Sequence, residues 1–535
     1  MPKPRTATLR KLYDPSSPQS SAPRVLDTGA LVLYFPAPDT VTGEDVLELH
    51  VHGGPAIVRS VLDAILRCGP LMHGRGGALR HADPGEFTKW AFYNGKLDLT
   101  QAEALGETLA AETEQQRRLA VSGADGGLST RYEEWRTMLL YARGELEALI
   151  DFSEDQHFDE SPAQFVTSIS HQVRTLKRQI ELHLQNASKG ELLRNGISIA
   201  LLGAPNAGKS SLLNQIVGRE AAIVSAEEGT TRDIVDVSID LDGWLCRLGD
   251  MAGLRAIRAS GQRQQPVGLV EQEGIRRARE RAMRSDVVLV LLSIELDKDG
   301  NPQVPVNEQV LEAVQECGAA GKTILVVLNK IDLLDMDDDG PKQEAMRVLQ
   351  TRTRQILPMV PERRICMVSC KAAANSLVGA DPGGIQAFLR QLTSTFVELT
   401  TASTGEDIAN PKMTAAEAQS YWATSLSVTH RQTRYLSQCL HHLEDFLAQT
   451  QSHLHTETPE ISDSCNPATG YRARRHDDFV APNIAQANGD GEVDGAVDIV
   501  TAAEHLRFAA DCLAKITGKG GSGDVEDVLG VVFEK

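Results

Sequence analysis

The octapeptide Gly203-Ala-Pro-Asn-Ala-Gly-Lys-Ser210 follows directly on the apolar run Ile197 to Leu202. A buried strand feeding a glycine-rich loop and then a helix is the arrangement that cradles phosphates. Its two glycines let backbone N–H groups turn onto phosphate oxygens where a Cβ would intrude. Lys209 supplies charge to the β- and γ-phosphates, and the Ser210 hydroxyl suits a Mg2+ ligand. Asn206, Ala207, Gly208 and Ser211 complete the loop expected around them. Further along, Val287 to Leu292, Ile324 to Leu328 and Ile365 to Val368 are continuous apolar runs separated by helical stretches. Such runs read as strands buried on both faces, so this part of the chain should be an α/β layer with a mostly parallel sheet.

Four segments after the loop occur in the order a GTPase requires. Gly229-Thr-Thr-Arg-Asp233 lies where a switch loop puts a threonine hydroxyl on Mg2+, and Thr231 suits that role. In Asp250-Met-Ala-Gly253 the aspartate suits a water-mediated hold on the ion, and the glycine can sense the γ-phosphate. Asn329-Lys330-Ile-Asp332 follows a buried strand. The Asp332 carboxylate can accept both the N1 and N2 hydrogens of guanine, which adenine does not offer. Ser369-Cys370-Lys371, after the next strand, fits the loop that closes over the base. Each piece alone is weak, but the ordered set points to a GTP site.

At 535 residues the chain should hold two to four domains. Short β-rich runs at Gly29 to Phe35 and Val46 to Val51 read as strands. Phe165, Ile169, Val173, Leu176, Ile180 and Leu184 repeat at helical spacing, with Ser161-Pro162 as a start signal. A second helical stretch is expected over about Lys412 to Thr450, and Thr501-Ala-Ala-Glu504 reads as a capping box that opens a last helix. Residues 455–498, rich in Asp, Asn, Gly, Pro and Thr, read as a loose insertion. The eight cysteines have no zinc spacing and read as reduced thiols, while His50 and His52 read as structural histidines. A net charge of −19 argues against broad, unaided binding to nucleic acid, and no apolar run is long enough to span a bilayer.

Several segments together resemble the MnmE/TrmE tRNA-modification GTPases. They are Gly43-Glu-Asp-Val-Leu-Glu-Leu49 with His52-Gly-Gly54, Pro84-Gly-Glu-Phe87, and Asn94-Gly-Lys-Leu-Asp-Leu99 with Gln101-Ala-Glu103. The match continues through the phosphate loop and Gly218-Arg-Glu-Ala-Ala-Ile-Val224 into Gly229 to Asp233. The resemblance implies an amino-terminal αβ folate-binding, dimerising domain over 1–115, a helical domain split into 116–195 and 399–535, and an inserted G domain over 196–398. It implies a homodimer that acts with a FAD-dependent MnmG-type protein and tRNA, the acidic chain leaving most of the tRNA to its partner. The product would be an aminomethyl-type group at C5 of the wobble uridine, with a one-carbon tetrahydrofolate supplying the methylene.

The same resemblance implies K+-stimulated hydrolysis on G-domain dimerisation. The K+ would be held by the Asn206 side chain, the carbonyls of Ser225 and Glu227, and Thr230. Glu271 matches the glutamate that positions the attacking water, and Glu48 and Lys96 match folate contacts. The family's first strand would precede Pro4 and its Phe-Cys-x-Gly-Lys tail would follow Lys535, so the match reads as a member shortened at both ends. Met251 stands where the family has threonine. A GTP-binding assembly or scaffold switch without modification chemistry is the alternative reading. The long loops suggest a eukaryotic chain of the mitochondrial matrix.

Overall fold

The computed structural model describes residues 2–16, 23–68, 79–152, 162–217, 221–226, 237–249, 267–334, 339–374, 381, 383–405, 413–454 and 499–519. They fall into two compact units, one drawn from Met1–Ser129 and His183–His430, the other from Thr130–Leu182 and Arg431–Gly521.

The chain opens with strands β1 (Thr8–Tyr13), β2 (Val25–Phe35) and β3 (Val46–His50), an antiparallel sheet in that order. Ala30 and Val32 of β2 are buried, and helix α1 (Pro55–Cys68) buries Val61 and Ala64. Helices α2 (Glu86–Tyr93), α3 (Leu99–Ala110) and α4 (Glu114–Ala124) follow. Asp98 starts α3 by accepting from the Gln101 amide at 2.9 Å while Gln101 accepts from the Asp98 amide at 3.1 Å. That reciprocal box satisfies two of the donors a helix start leaves open.

Helices α5 (Gly127–Phe152) and α6 (Pro162–Asn195) are long. Proline stands at the first position of α6, as expected, because its missing N–H would have had no helical partner there. Ile169, Val173, Leu176 and Ile180 form a buried stripe on α6, the face its sequence period marks out.

The α/β layer comprises β4 (Ile197–Leu202), α7 (Lys209–Gln215), β5 (Ala221–Ala226), β6 (Val237–Leu241), β7 (Trp244–Leu248), α8 (Val267–Arg284), β8 (Val287–Ser293), the short hairpin β9 (Glu295–Leu296) and β10 (Pro302–Gln303), α9 (Glu308–Ala319), β11 (Thr323–Asn329), α10 (Asp339–Ile356), β12 (Ile365–Val368), α11 (Cys370–Ala374) and α12 (Ile385–Thr400). Seven of these strands form one sheet in the order β12-β11-β8-β4-β7-β6-β5. Pairings from β12 through β7 are parallel, and β6 and β5 add antiparallel at one edge.

Adjacent residues on the central strands serve opposite faces. Leu289, Leu291, Leu325 and Val327 pack with Phe388, Leu392 and Phe396 of α12. Val288, Val290, Val326 and Leu328 pack with Val310 and Val314 of α9. Every residue of β8 and β11 is buried, and this explains why the runs carry no alternation in sequence.

The second unit includes much of α14 (His430–Leu454) and all of α15 (Ile499–Thr517); α13 (Ala415–Ala423) precedes them in the first unit. The expected continuous helix over 412–450 is interrupted by a 3-10 turn at Thr424–Ser427. Thr424 donates its hydroxyl to the Tyr421 carbonyl at 2.8 Å, and Ser427 to the Thr424 carbonyl at 2.7 Å. Such side-chain bonds to backbone oxygen compete with helix propagation. The capping box at Thr501 is also displaced: α15 already begins at Ile499, so Thr501 lies inside the helix. No helix among the described residues is long and apolar enough to cross a membrane.

Candidate nucleotide-binding site

The phosphate loop joins the end of β4 to α7, at the carboxyl edge of the parallel strands, where α/β sheets bind ligands. A Cβ on Gly203 would lie 2.4 Å from the Leu291 carbonyl oxygen, so β4 can leave the sheet beside β8 only as glycine. Gly208 has φ +103°, and a Cβ there would fall 2.1 Å from the side-chain nitrogen of Asn329. Both glycines are therefore required, the second by backbone conformation and by space. Asn206 also has a left-handed backbone, with φ 62°, and its side chain is exposed.

Lys209 and Ser210 are the first two residues of α7, where helical N–H groups have no partner in the preceding turn. Those donors and the helix dipole favour an anion. The Lys209 ammonium lies across the loop and donates to the carbonyls of Gly203 at 2.6 Å and Ala204 at 2.9 Å. Ser211 is exposed on the same turn.

The segments 329–332 and 369–371 converge on this loop. Asn329 ends β11 and is buried; its amide donates to the Ala207 carbonyl at 2.8 Å and accepts from the Cys370 amide at 3.3 Å. Lys330 takes a left-handed turn at φ 72°, which swings Asp332 out onto a short 3-10 helix. The Ser369 hydroxyl donates to Asp332 Oδ1 at 2.6 Å and accepts from the Ala372 amide at 3.0 Å. Lys371 Nζ is 3.9 Å from Asp332 Oδ2. Ser369-Cys370-Lys371, expected as a loop, instead leads into the first turn of α11. Burial pushes the Cys370 thiol up to about 11, so it is a protonated packing group.

Two contributors escaped sequence reasoning. The Gly383 carbonyl accepts from the Ser369 amide at 2.8 Å and fixes the loop from behind. Its only sequence signal is the turn-forming Asp381-Pro-Gly-Gly384. Asp27, in the amino-terminal sheet, accepts from the His52 amide at 2.8 Å and from His52 Nδ1 at 2.9 Å. These bonds, after that from the Gly29 amide, hold its carboxyl at about 2. His52 thus acts through an aspartate that no local pattern marks. Glu48 lies 3.0 Å from His50 on the same side of β3. Lys96 is exposed, two residues beyond Asn94, whose amide donates to the Thr42 carbonyl at 2.8 Å and ties this turn to the β3 approach.

Glu227, Gly229, Thr230, Thr231, Asp250, Met251 and Gly253 lie outside the described residues. Ser225 is in β5, opposite Ser238, and Glu271 is in α8; their side chains lie outside the described residues.

Fold and site together define a P-loop protein of the GTPase class, with the Asp332 carboxylate braced by a serine. A family model described as "MnmE helical domain" matches residues 99–535, and one described as "GTP-binding protein TrmE N-terminus" matches residues 1–96. The chain belongs to the MnmE/TrmE family. It is 33% identical to the mitochondrial tRNA modification GTPase MSS1 of Saccharomyces cerevisiae, over 100% of this chain and 85% of that protein. It is 45% identical to the tRNA modification GTPase MnmE of Paramagnetospirillum magneticum, over 62% of this chain and 66% of the relative. Identity is 41% to the human mitochondrial 5-taurinomethyluridine-[tRNA] synthase subunit GTPB3, over 64% of each. The chain thus spans about two thirds of the length of several curated relatives it matches.

Proposed function

We propose that this chain binds and hydrolyses GTP with Mg2+ and that hydrolysis serves modification of the wobble uridine of tRNA. The observation that carries the reading is the junction at Asn329, which ties the phosphate loop to the loop behind Asp332. The Ser369 hydroxyl and the Lys371 ammonium hold the Asp332 carboxylate so that it can accept the two guanine hydrogens. Lys209 shifts its ammonium from loop carbonyls to the β/γ-phosphate oxygens, a charge-assisted bond in place of neutral ones.

Ser210, the second residue of α7 beside the phosphate cradle, fits a Mg2+ ligand, and Thr231 and Asp250 would complete its hold in this reading. Mg2+ supplies neutralisation of charge that develops on the leaving phosphate. Glu271 orients the attacking water in this reading. Asn206, whose left-handed backbone presents an exposed side chain at the loop tip, would hold K+ with Thr230 and the carbonyls of Ser225 and Glu227.

The remainder of the reading follows the family and the named relatives. The domains would be amino-terminal over 1–115, G over 196–398, and helical over 116–195 with 399–535. The protein would be a homodimer in the mitochondrial matrix, working with a FAD-dependent MnmG-type partner that holds most of the tRNA, as the −19 charge favours. A one-carbon tetrahydrofolate would be held by Glu48 and Lys96 and donate the carbon of an aminomethyl-type group at uridine C5.

Hydrolysis measured in K+ and in Na+ tests the ion assignment. A clear excess in K+ that Asn206→Ala removes is expected; equal rates would sink it. Cells carrying only this chain as their family member should show modified wobble uridine, and bare uridine would overturn the modification role.

A further inference from the structure

Helices α14 and α15 place three groups of metal-binding chemistry together in the second unit. One ligand atom from each of His442, Asp445 and His505 lies within 4.8 Å of the other two. His442 and Asp445 are three residues apart and share one face of α14, while His505 comes from α15. His505 Nδ1 is 3.8 Å from Asp445 Oδ2, and His441 Nε2 approaches the same oxygen at 3.7 Å from the exposed side.

An independent observation points to a ligand. His442 Nδ1 and His505 Nδ1 are both sealed from solvent with no hydrogen-bond partner. Leaving such groups unpaired costs about 1–3 kcal/mol each.

We propose that His442, Asp445 and His505 bind one zinc-class divalent cation and that this ion fastens α15 to α14. Two imidazoles and one carboxylate suit Zn2+ and its first-row neighbours and disfavour Ca2+ or Mg2+, which prefer all-oxygen shells. At metal–ligand distances of about 2.1 Å the donors stand roughly 3.4 Å apart, so the side chains close by about 1 Å around the ion. His441, 71% exposed, stands at the open side, where it or water takes the fourth position.

Gln449 supplies orientation from behind. Its side-chain nitrogen faces His505 Nε2 at 3.2 Å. If the amide is turned over, its oxygen accepts from Nε2–H, and the Nδ1 lone pair of His505 is left for the metal. A ligating histidine is commonly fixed in this way through its other nitrogen. The gain is that of a ligand held by the folded chain: 455–498 separate the two helices in sequence, so the three donors meet only when α15 packs on α14, and the free energy of binding the ion adds to stability.

The test uses the full chain, stripped with a chelator and returned to Zn2+. The expected result is about one ion per chain more than in the His442→Ala/His505→Ala double variant, with a melting temperature raised by a few degrees in the parent alone. Co2+ should give visible d–d bands without thiolate charge transfer, and Asp445→Asn should weaken them while its circular dichroism matches the parent. Equal metal content in parent and double variant, or an unshifted melting curve in the metal-loaded parent, overturns the proposal. If the double variant fails to fold, the Co2+ spectra of parent and Asp445→Asn decide alone: absent or identical bands overturn it.

Discussion

The side-chain nitrogen of Asn329 lies 2.8 Å from the carbonyl oxygen of Ala207, across 122 residues of sequence. The bond is buried, and the same side chain accepts from the Cys370 amide, so one amide group ties the loop at Ala207 to the segment at Cys370. Replacing Asn329 with Ala leaves a buried carbonyl and a buried N–H unpaired, at about 1–3 kcal/mol each. GTP affinity should fall at least about tenfold, read by titration calorimetry. Unchanged affinity would remove Asn329 from the site.

Gly208→Ala should be worse for binding than its size suggests. The φ of +103° is unfavourable for alanine, and the new methyl would occupy the place of the Asn329 amide. Loss of measurable GTP binding in a protein with a parent-like circular dichroism spectrum is expected. Tight binding by Gly208→Ala would show that the loop relaxes without cost.

In the proposed role of Asp332, Asp332→Asn exchanges an acceptor of two guanine hydrogens for a group that accepts one and opposes the other with an N–H. Two bonds to a charged acceptor are each worth about 1.5–3 kcal/mol, so GTP should weaken by roughly 100-fold or more. Xanthosine triphosphate, which carries an oxygen at the position of the guanine amine, should weaken far less or improve. Competition between the two nucleotides reads the switch directly.

Asp27 gives the amino-terminal sheet a defined acid sensitivity. Bonds from the Gly29 and His52 amides hold its carboxyl near 2, against an ordinary 3.8. A depressed carboxyl contributes stability that is complete above about pH 4 and is lost as pH falls towards 2. Asp27→Asn should therefore melt below the parent at pH 7, and the gap should close between pH 4 and pH 2. A gap that stays constant with pH would assign the effect to packing alone.

Burial raises the thiols of Cys366, to about 12, and Cys370, to about 11. Both are then protonated at neutral pH and should resist iodoacetamide in the folded chain while reacting fully in urea. Peptide mass spectrometry at pH 7.5 checks this, and rapid labelling of native Cys370 would mean that the base loop opens.

Much of the α/β layer was readable because its signals are local. The run Ile197 to Leu202 and the loop after it fix a strand, a turn and a helix start through side-chain period and glycine conformation alone. Ile365 to Val368 was likewise legible to the residue. The helix boundaries at Ser427 and Ile499 were not, because short hydroxyl-to-backbone bonds and packing decide them within one or two residues. The motif around Asp332 was legible in the sequence, but nothing in it says that Ser369 hydrogen-bonds its carboxylate.

The order of residues along the chain was enough to show the strand, glycine turn and helix start at 197–210, the Asn329-Lys-Ile-Asp332 motif and the marks of one GTPase family, since each is a short run of residues read within its own loop. Tertiary structure alone decided that β4 lies between β7 and β8, that Asn329 locks the loop at Ala207, that Asp27 governs His52, and that His505 meets His442. Those contacts join residues far apart in the chain. Their selection depends on which apolar faces pack together, and a local pattern records that a face is apolar without recording the face it will meet.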